Sequence, residues 1–389
     1  MENLKTLIVA ILSSHLSKLA AASIITFCTF GGTTLDAQEI IMPERWSKSI
    51  SEVEPLFASD TLTILVAGDM MMHTAQLQNA RRSDLEYDFS SYFHLIEDEI
   101  AQADIAIANM EFTLAGEPHT GYPCFSAPDS YAHYLADCGF DIFLTANNHI
   151  FDKGGKGAER TLEIYRNMEG IRFTGLASDE QERAETNPLF VLKKGIRTAL
   201  INFTYGTNMG SGTHWPKVNY MANKVFLEEA FAKAYDEDAD LTIALPHWGD
   251  EYILKHNESQ EEMAGWMARN GADFIIGSHP HVIQDTQTTG SANVAYSLGN
   301  AVSNMSAANT QLGLLAKISV VRLHNGDLKQ LPLEFTYIWC SRPGGYNCSY
   351  TVIPVKRFIG QRDIWIGTHD YDKMIETYNR VKEKTGIND

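Results

Sequence analysis

The sequence predicts an α/β fold, and three features of the chain support that prediction. From residue 61 onward, short and almost continuously apolar runs recur at intervals. Between them lie longer segments whose apolar residues repeat with the period of a helix. After residue 310 the pattern changes to alternation around an Asn-Gly pair. Runs of the first kind are typical of strands covered on both faces, and the last pattern is typical of antiparallel strands.

Seven apolar runs are the predicted strands of the α/β part. They are TLTILVA at 61–67, ADIAIA at 103–108, FDIFLT at 140–145, TALINFT at 198–204, LTIAL at 241–245, ADFIIG at 272–277 and VAYSL at 294–298. Helices are predicted between them at 129–138, 155–169, 224–236 and 258–270. Gly139, Gly170 and Gly271 follow three of these segments, at the position where a glycine commonly ends a helix.

The C-terminal part reads as antiparallel strands followed by a last helix. Residues 312–340 have the sequence LGLLAKISVVRLHNGDLKQLPLEFTYIWC. The pair Asn325-Gly326 between two alternating runs is a strong signal for a β-hairpin. A helix at roughly 371–384 then closes the chain. Because no boundary separates a second domain, a single domain is expected over residues 61–389.

Composition excludes several classes of protein. The 389 residues are 44% hydrophobic and 21% charged, which is the composition of a globular chain and not of a disordered one. The chain has 31 Lys and Arg against 49 Asp and Glu, a net charge of −18. No nucleic acid is expected as a partner, since binding to a phosphate backbone depends on clustered cations. An acidic surface also repels anionic substrates unless a cation, such as a bound divalent metal, lies in the site.

The N-terminal residues resemble an export signal. Lys5 and Lys18 precede apolar runs at 7–12 and 19–27, and a stretch of mostly small residues ends at Ala37. Neither run reaches the ~20 apolar residues that a membrane span needs. We therefore expect a signal peptide at 1–37, a polar linker at 38–60, and export to the periplasm or cell envelope. The alternative is a leader that ends before Cys28, with a lipid attached to that cysteine.

Four cysteines remain after the leader, at positions 124, 138, 340 and 348. An even number suits an oxidising compartment. The pairs 124/138 and 340/348 would close short loops, but three connectivities exist. Structural disulfides and buried thiols are both open.

Chemistry-bearing residues follow five of the apolar runs. The residues are Gly68-Asp69, Asn109-Met110-Glu111, Asn147-Asn148-His149, Pro246-His247-Trp248-Gly249 and Ser278-His279-Pro280-His281. Parallel strands share one carboxyl edge, so these side chains are expected to converge on one rim. In an extended segment His279 and His281 would face the same way. The alternative is a polar, hydrogen-bonded rim without a metal.

The mixture of imidazole, carboxylate and amide donors predicts the kind of cofactor. Nitrogen and oxygen together favour a divalent transition metal, with manganese, iron or zinc fitting best. Six or more candidate ligands exceed one tetrahedral zinc site, so one or two metals per chain are expected, with Glu111 bridging them. His149, next to the candidate ligand Asn148, could orient or protonate the reacting group.

Seven motifs together resemble a known family. They are AGDMM at 67–71, NMEFTL at 109–114, FSAP at 125–128, GFDIFLTANNHIFDKG at 139–154, HWGDEY at 247–252, GSHPHVIQ at 277–284 and YSLGN at 296–300. Over about residues 62–300 the chain resembles the CapA-type poly-γ-glutamate capsule biosynthesis proteins (PGA_cap), which are similar to calcineurin-like metallophosphoesterases. The resemblance implies an α/β/β/α sandwich of two sheets, which agrees with the antiparallel C-terminal strands.

The resemblance also implies roles for individual residues. It implies that Asp69 and His281 bind a first metal, that Glu111 bridges, and that Asn148, His247 and His279 bind a second metal. His149 then takes the catalytic position. Phosphoesterases of this superfamily usually carry a histidine two positions after the first aspartate. Met71 stands there in this chain, so three alternatives are open for the first metal: it is weakly bound, it is absent, or His73 is its replacement ligand.

Two functions of different classes follow. The first is a metal-dependent hydrolase of the cell envelope that cleaves an amide or phosphoester in an acidic polymer such as a capsule. The second is a noncatalytic polymer-handling or scaffold component of a capsule synthesis complex, with membrane capsule-synthesis components as partners. For amide hydrolysis, Asp250 and Glu251 are candidate carboxylates near a metal-bound water, with Glu251 as the second catalytic residue. The alternative for this pair is a hydrogen-bonded loop.

Overall fold

Two mixed β-sheets form the centre of the protein in a computed structural model, which describes residues 61–84, 86–210, 214–323 and 325–389. These residues belong to one compact unit, Glu54–Asp389. The expected signal peptide at 1–37 and linker at 38–60 lie outside the described residues. Among the described helices, none is long and apolar enough to cross a membrane.

The first sheet contains nine strands. They are β1 (Thr61–Met70), β2 (Ile105–Met110), β3 (Ile142–Leu144), β4 (Arg172–Thr174), β13 (Asn300–Val302), β14 (Leu312–Arg322), β15 (Leu328–Gln330), β16 (Glu334–Ser341) and β17 (Thr351–Pro354). Its main order is β17-β16-β14-β1-β2-β3-β4, while β13 pairs with β1 and β15 pairs with β14. Strands β1 to β4 are parallel, whereas β14 runs antiparallel to β1.

The second sheet has the strand order β11-β12-β10-β9-β7-β6. Its strands are β6 (Leu189–Lys193), β7 (Ile196–Thr204), β9 (Leu241–His247), β10 (Phe274–Ile276), β11 (Thr286–Thr289) and β12 (Ala292–Ala295). The central strands β7, β9, β10 and β12 are parallel, and a hairpin lies at each edge. A small separate ribbon pairs β5 (Leu176–Ala177) with β8 (Lys217–Val218).

Helices pack on the outer faces of both sheets, and the last helix packs in the apolar layer on the inner face of the first sheet. Those described are α1 (Thr74–Ala80), α2 (Glu97–Ala101), α3 (Asp129–Asp137), α4 (Gly154–Asn167), α5 (Glu180–Thr186), α6 (Lys224–Asp236), α7 (Glu258–Arg269), α8 (Val355–Phe358) and α9 (Thr368–Thr385), with a short 3-10 turn at Arg362–Ile364. Asn223 and Asn257 begin α6 and α7, since their side chains accept hydrogen bonds from backbone N–H groups of the first turn.

Alternate residues of β1 pack into different cores, which defines the layers. Ile64 faces the apolar layer between the sheets, which it shares with Ile243 of β9. Leu65 faces the opposite way and packs in the core that contains Leu162 of α4. The far side of the second sheet forms a third core with helices α6 and α7, which includes Phe231. The result is the expected α/β/β/α sandwich, so the predicted fold class is confirmed.

The predicted elements agree with the structure at most positions. Each of the seven apolar runs contains a strand, and the four predicted central helices and the last helix are present. Asn325 and Gly326 lie between β14 and β15, which pair antiparallel as the hairpin signal predicts. One run differs: the segment 294–298 leaves the second sheet at Ala295. The chain then crosses to the first sheet, where β13 pairs with β1. All four described cysteines are free thiols.

Candidate metal centre

The carboxyl ends of strands from both sheets meet at one site. Asp69 lies near the end of β1, Glu111 directly follows β2, and the Asn148-His149 pair follows β3. The second sheet contributes His247 at the end of β9 and His279 and His281 after β10. The sequence-predicted residues are therefore brought together, but the rim is formed by two facing sheets and not by consecutive strands of one.

The crossing between the two sheets fixes the position of Asp69. In the parallel pairing of β1 with β13, Asp69 lies opposite Asn300. The backbones touch here, since the Asp69 N–H donates to Gly299 O at 3.0 Å. A Cβ atom on Gly68 would lie only 1.9 Å from that same oxygen. A glycine is therefore required at position 68 for Asp69 to reach the site.

Glu111 is the centre of the cluster. Its side chain is fully buried, and neither carboxylate oxygen has a hydrogen-bond partner. Three imidazole Nε2 atoms surround Glu111 Oε1, at 3.9 Å for His149, 3.8 Å for His247 and 3.7 Å for His281. Burial, followed by the charge of Asp69, raises the pKa of Glu111 well above its ordinary value. A buried carboxylate without hydrogen bonds is costly unless a cation compensates its charge.

Asp69 and its neighbours form the first side of the centre. Asp69 Oδ1 accepts a hydrogen bond from Asn109 Nδ2 at 2.7 Å, and its Oδ2 lies 3.3 Å from His281 Nδ1. The same imidazole nitrogen also lies 3.0 Å from Asn300 Oδ1. Burial lowers the pKa of His281, but the hydrogen bond and charge of Asp69 outweigh burial and raise it above the ordinary value. A metal bound to His281 would displace the proton that the raised pKa favours on its imidazole.

The second side consists of Asn148, His247 and His279. Asn148 Oδ1 lies 2.7 Å from His247 Nε2, and His247 Nδ1 lies 3.0 Å from Ser278 Oγ. Burial lowers the pKa of His247 well below its ordinary value and that of His279 to about 3. Both imidazoles are therefore neutral at pH 7, which is the form that binds a metal. The buried Nδ1 of His279 has no hydrogen-bond partner.

These donors fall into three overlapping groups within the described part of the chain. The groups are Glu111, His247 and His279; Asp69, Glu111 and His281; and Glu251, His279 and His281. Within each group, one donor atom from every residue lies within 4.8 Å of the others. Two donors each about 2.1 Å from a shared metal cannot lie more than about 4.2 Å apart, and the distances of 3.7 and 3.8 Å from Glu111 to His281 and His247 meet that limit. The donor set could therefore hold a divalent metal.

His149 has a hydrogen-bond partner that the sequence analysis did not assign. Its Nδ1 lies 2.7 Å from Asp152 Oδ2, and the ring packs edge-on against Phe125 with centroids 4.7 Å apart. Asp152 also accepts the Phe125 backbone N–H at 2.7 Å. This arrangement directs His149 Nε2 toward Glu111, and Asn208 Nδ2 approaches the ring at 3.4 Å. The signal for Asp152 was its place in the motif that contains His149, three residues later.

His73 lies outside the three donor groups. It begins helix α1, with its Nδ1 3.1 Å from Gln76 Oε1 and 3.3 Å from the Asn304 backbone N–H. Burial lowers the pKa of His73 to about 4. Met71, at the position where the resemblance places a histidine, is buried in the apolar core. Ligation by His73 stays a prediction.

The two acidic residues after β9, Asp250 and Glu251, have different surroundings. Asp250 accepts a hydrogen bond from Asn257 Nδ2 at 2.7 Å, so it matches the loop alternative. Glu251 instead lies with His279 and His281 at the mouth of the site. His256, later in the same loop, is held by neighbouring side chains. It precedes α7, stacks on Tyr296 with centroids 3.9 Å apart and lies 2.9 Å from Asp285 Oδ1.

Two further residues hold the site together: Asn109, which was predicted to lie at the rim but was given no role, and Asn300, which was not predicted as a site residue. Asn109 joins the two sides of the centre, since its Nδ2 lies 2.7 Å from Asp69 Oδ1 and 3.3 Å from His247 Nδ1. Asn300 fixes His281 through the 3.0 Å contact described above. Both asparagines lie in motifs that carried the family resemblance, at the end of β2 and in YSLGN, so membership in those motifs was the available signal.

Comparisons with known proteins agree with the resemblance. The family described as "Bacterial capsule synthesis protein PGA_cap" matches residues 63–305. The capsule biosynthesis protein CapA of Bacillus anthracis is 27% identical over 309 residues, which cover 76% of this chain and 73% of that protein. The PGA biosynthesis protein CapA of Bacillus subtilis (strain 168) is 24% identical over 293 residues, which cover 72% and 73%. The crystal structure of the calcineurin-like phosphoesterase YfkN from Bacillus subtilis has a TM-score of 0.42 and 13% identity, covering 84% of this chain and 99% of that one.

Proposed function

The chain belongs to the bacterial capsule synthesis protein (PGA_cap) family, and on that premise we propose that it is a metal-dependent hydrolase of the cell envelope. Its role is in the biosynthesis or processing of a capsule or of poly-γ-glutamate, as the names of its two CapA relatives suggest. The substrate is an acidic polymer or another envelope component, and membrane capsule-synthesis components are the proposed partners.

The observation that carries this proposal is the state of Glu111. A fully buried carboxylate without a hydrogen bond, with three imidazole nitrogens 3.7 to 3.9 Å from one of its oxygens, is poorly explained as packing. Buried polar groups in folded proteins are otherwise nearly always hydrogen-bonded. A divalent cation would supply the missing partner both for the Glu111 carboxylate and for the unpaired Nδ1 of His279.

Two sets of residues would hold the metals. Asp69, Glu111 and His281 form one set, and Glu111, Asn148, His247 and His279 form the other. Manganese, iron or zinc suit this mixture of nitrogen and oxygen donors. When bound, such metals polarise a scissile carbonyl or phosphoryl oxygen, activate water and supply positive charge. That charge matters for an acidic substrate, because the protein itself carries a net charge of −18.

His149 is the proposed acid–base residue. Its Nδ1 is held by Asp152, so the Nε2 that faces Glu111 is free to hold or release a proton at the reacting group. Asp152 is a positioning residue, since it touches the imidazole and not the reacting atoms. The edge-on contact with Phe125 fixes the plane of the ring and keeps solvent from its buried side.

Among hydrolytic reactions, amide cleavage is favoured over phosphoester cleavage. Phosphoester hydrolysis needs charge neutralisation at several oxygens, usually by two metals, whereas amide hydrolysis can use one metal-bound water and a positioned acid–base group. Met71 provides no ligand to the first metal. We therefore propose γ-glutamyl or peptide-like amides as the substrate class.

The test is a side-by-side assay on purified protein with known metal content. γ-Glutamyl amides and aryl phosphates are each incubated with the protein loaded with manganese, zinc or magnesium. We expect at least one tightly held transition metal per chain and faster cleavage of the amides. Phosphatase activity without amide cleavage would reverse the order of substrates. Metal-free folded protein that is inactive on both would favour the noncatalytic scaffold.

Export is part of the proposal and has its own measurement. Mass spectrometry of the protein from its native source is expected to give a mature N-terminus near Gln38. An N-terminus at Cys28 would identify a lipoprotein. Protein in the cytosol that retains Met1 would contradict export.

A further inference from the structure

Glu251 occupies a distinct place in the site, at its mouth. It is the exposed member of the three donor groups, whereas Asp69, Glu111 and the histidines are buried. Its carboxylate lies within 4.8 Å of a donor nitrogen of both His279 and His281. His281 belongs also to the group formed with Asp69 and Glu111, so Glu251 extends the buried cluster toward solvent.

The backbone on each side of Glu251 is anchored. Before it, the Asp250 carboxylate accepts a hydrogen bond from Asn257 Nδ2 at 2.7 Å. After it, the Tyr252 N–H donates to Pro280 O at 2.9 Å, and Pro280 is the residue between the two histidines. The loop that carries Glu251 is therefore tied to the loop that carries His279 and His281. An exposed glutamate side chain normally samples many rotamers, but here the backbone holds the Cα of Glu251 beside the loop that carries His279 and His281.

The surroundings of the Glu251 carboxylate are short of cations. Among the described residues, no lysine or arginine forms an ion pair with it. Tyr205 covers the neighbouring side of the site, since its ring lies 4.5 Å from that of His279. A carboxylate that lies beside two imidazoles and has no basic partner is an arrangement of donors that a divalent cation completes.

We propose that Glu251 is a metal ligand and that, with His279 and His281, it holds a divalent transition metal at the mouth of the site. Two imidazole nitrogens and one carboxylate oxygen suit manganese, iron or zinc. Three protein donors leave further coordination positions for water or for a substrate group. His279 and His281 also belong to the two inner sets, so this position and the inner ones use the same imidazoles as alternatives, and a metal here is the exchangeable one because its carboxylate ligand is exposed.

This assignment differs from the acid–base role that the sequence suggested for Glu251. A general base acts on a water and need not contribute to metal affinity. A ligand must contribute to it, whatever the reaction. The inference rests on the metal-binding part of the proposed function and not on the identity of the bond that is cleaved.

The experiment measures metal binding directly. Wild type, Glu251→Gln and Glu251→Ala are stripped with a chelator and titrated with Mn²⁺, while free Mn²⁺ is followed by electron paramagnetic resonance. We expect one binding event to weaken by about tenfold or more in both variants, since even outer-shell partners of a metal typically contribute 10- to 100-fold. Asp250→Asn is the matched control, because it removes the neighbouring exposed carboxylate, and its affinities are expected to match wild type. Thermal melts in chelator verify that each variant is folded.

Other outcomes would overturn the assignment. Unchanged Mn²⁺ affinity with reduced turnover would make Glu251 an acid–base residue, and no change in either would make it a loop carboxylate. Equal weakening in the Glu251 variants and in Asp250→Asn would reduce the effect to general charge. If affinity depends on Glu251 but the wild type cleaves no substrate, the ligand assignment stands and the hydrolase proposal fails. If the wild type binds no metal, both fail.

Discussion

Replacement of Glu111 by glutamine should change stability in opposite directions with and without metal. Glutamine has nearly the shape of glutamate but carries no charge. In metal-free protein it removes a buried carboxylate that has no hydrogen-bond partner and lies close to Asp69. Its amide can also donate to the surrounding acceptors. In metal-loaded protein the same change removes a charged ligand shared by two donor groups.

The magnitudes follow from the burial of this side chain. An unsatisfied buried polar group costs about 1–3 kcal/mol, and more when it is charged. We therefore expect Glu111→Gln to raise the free energy of unfolding of the metal-free protein by about 1–3 kcal/mol. A metal at 100 times its Kd stabilises the wild type by about 2.7 kcal/mol, because it binds the folded state. Most of that stabilisation should be absent in the variant.

Unfolding in urea, monitored by tryptophan fluorescence, tests both halves of this expectation. Wild type and Glu111→Gln are compared in chelator and in excess Mn²⁺ or Zn²⁺. Crossing of the two stability orders between the conditions is the expected result. If Glu111→Gln is destabilising by the same amount in both conditions, Glu111 is a structural residue and the reasoning from its missing partners is refuted.

Three further predictions follow from other contacts. Asp104→Asn should reduce stability at pH 7 by about 1–3 kcal/mol, since burial raises the pKa of Asp104 but hydrogen bonds from Lys194 and Thr63 outweigh burial and lower that pKa below its ordinary value; a lowered pKa stabilises the folded protein above the unfolded value, so the difference should shrink in unfolding titrations as pH falls through the pKa of folded Asp104. Asp152→Asn should lower kcat by about 10²- to 10⁴-fold with metal content retained, because it disturbs the tautomer of the proposed acid–base histidine, and a proportional loss of metal would contradict a positioning role. His247→Ala should reduce metal content and activity together, measured by elemental analysis, while the control His133→Ala, on the exposed face of α3, should change neither.

Local patterns in the sequence were sufficient to predict the main elements. Seven strands appear in the sequence as continuous apolar runs, and helices end at glycines such as Gly139, which has φ of +102°. The chain order of ligand-type residues also predicted which side chains would meet. This prediction does not require the order of the strands, because all parallel strands of a sheet place their carboxyl ends at the same edge.

The contacts that sequence patterns could not give are those between the sheets. The run 294–298 was predicted as one strand, but the chain leaves β12 at Ala295 and crosses to β13, and only this crossing places Asn300 beside His281. Short edge strands such as β4 and β17 also escaped prediction, since three or four residues carry too little periodicity. Asp152 was missed for a related reason. It follows His149 in a turn, where spacing gives no indication of which side chain an aspartate will contact.

The backbone at the two histidines supports a functional site over a merely polar rim. His279 and His281 have φ of +100° and +58°, in a region that residues other than glycine seldom adopt. Such conformations cost about 1–3 kcal/mol each and persist where the surrounding structure imposes them. If the rim served only for hydrogen bonding, these backbone conformations should let its buried polar groups find partners. The Glu111 carboxylate and His279 Nδ1 nevertheless have none. The backbone strain and the unpaired polar atoms at the same place are explained together if the loop presents its imidazoles to a cation that supplies the missing interactions.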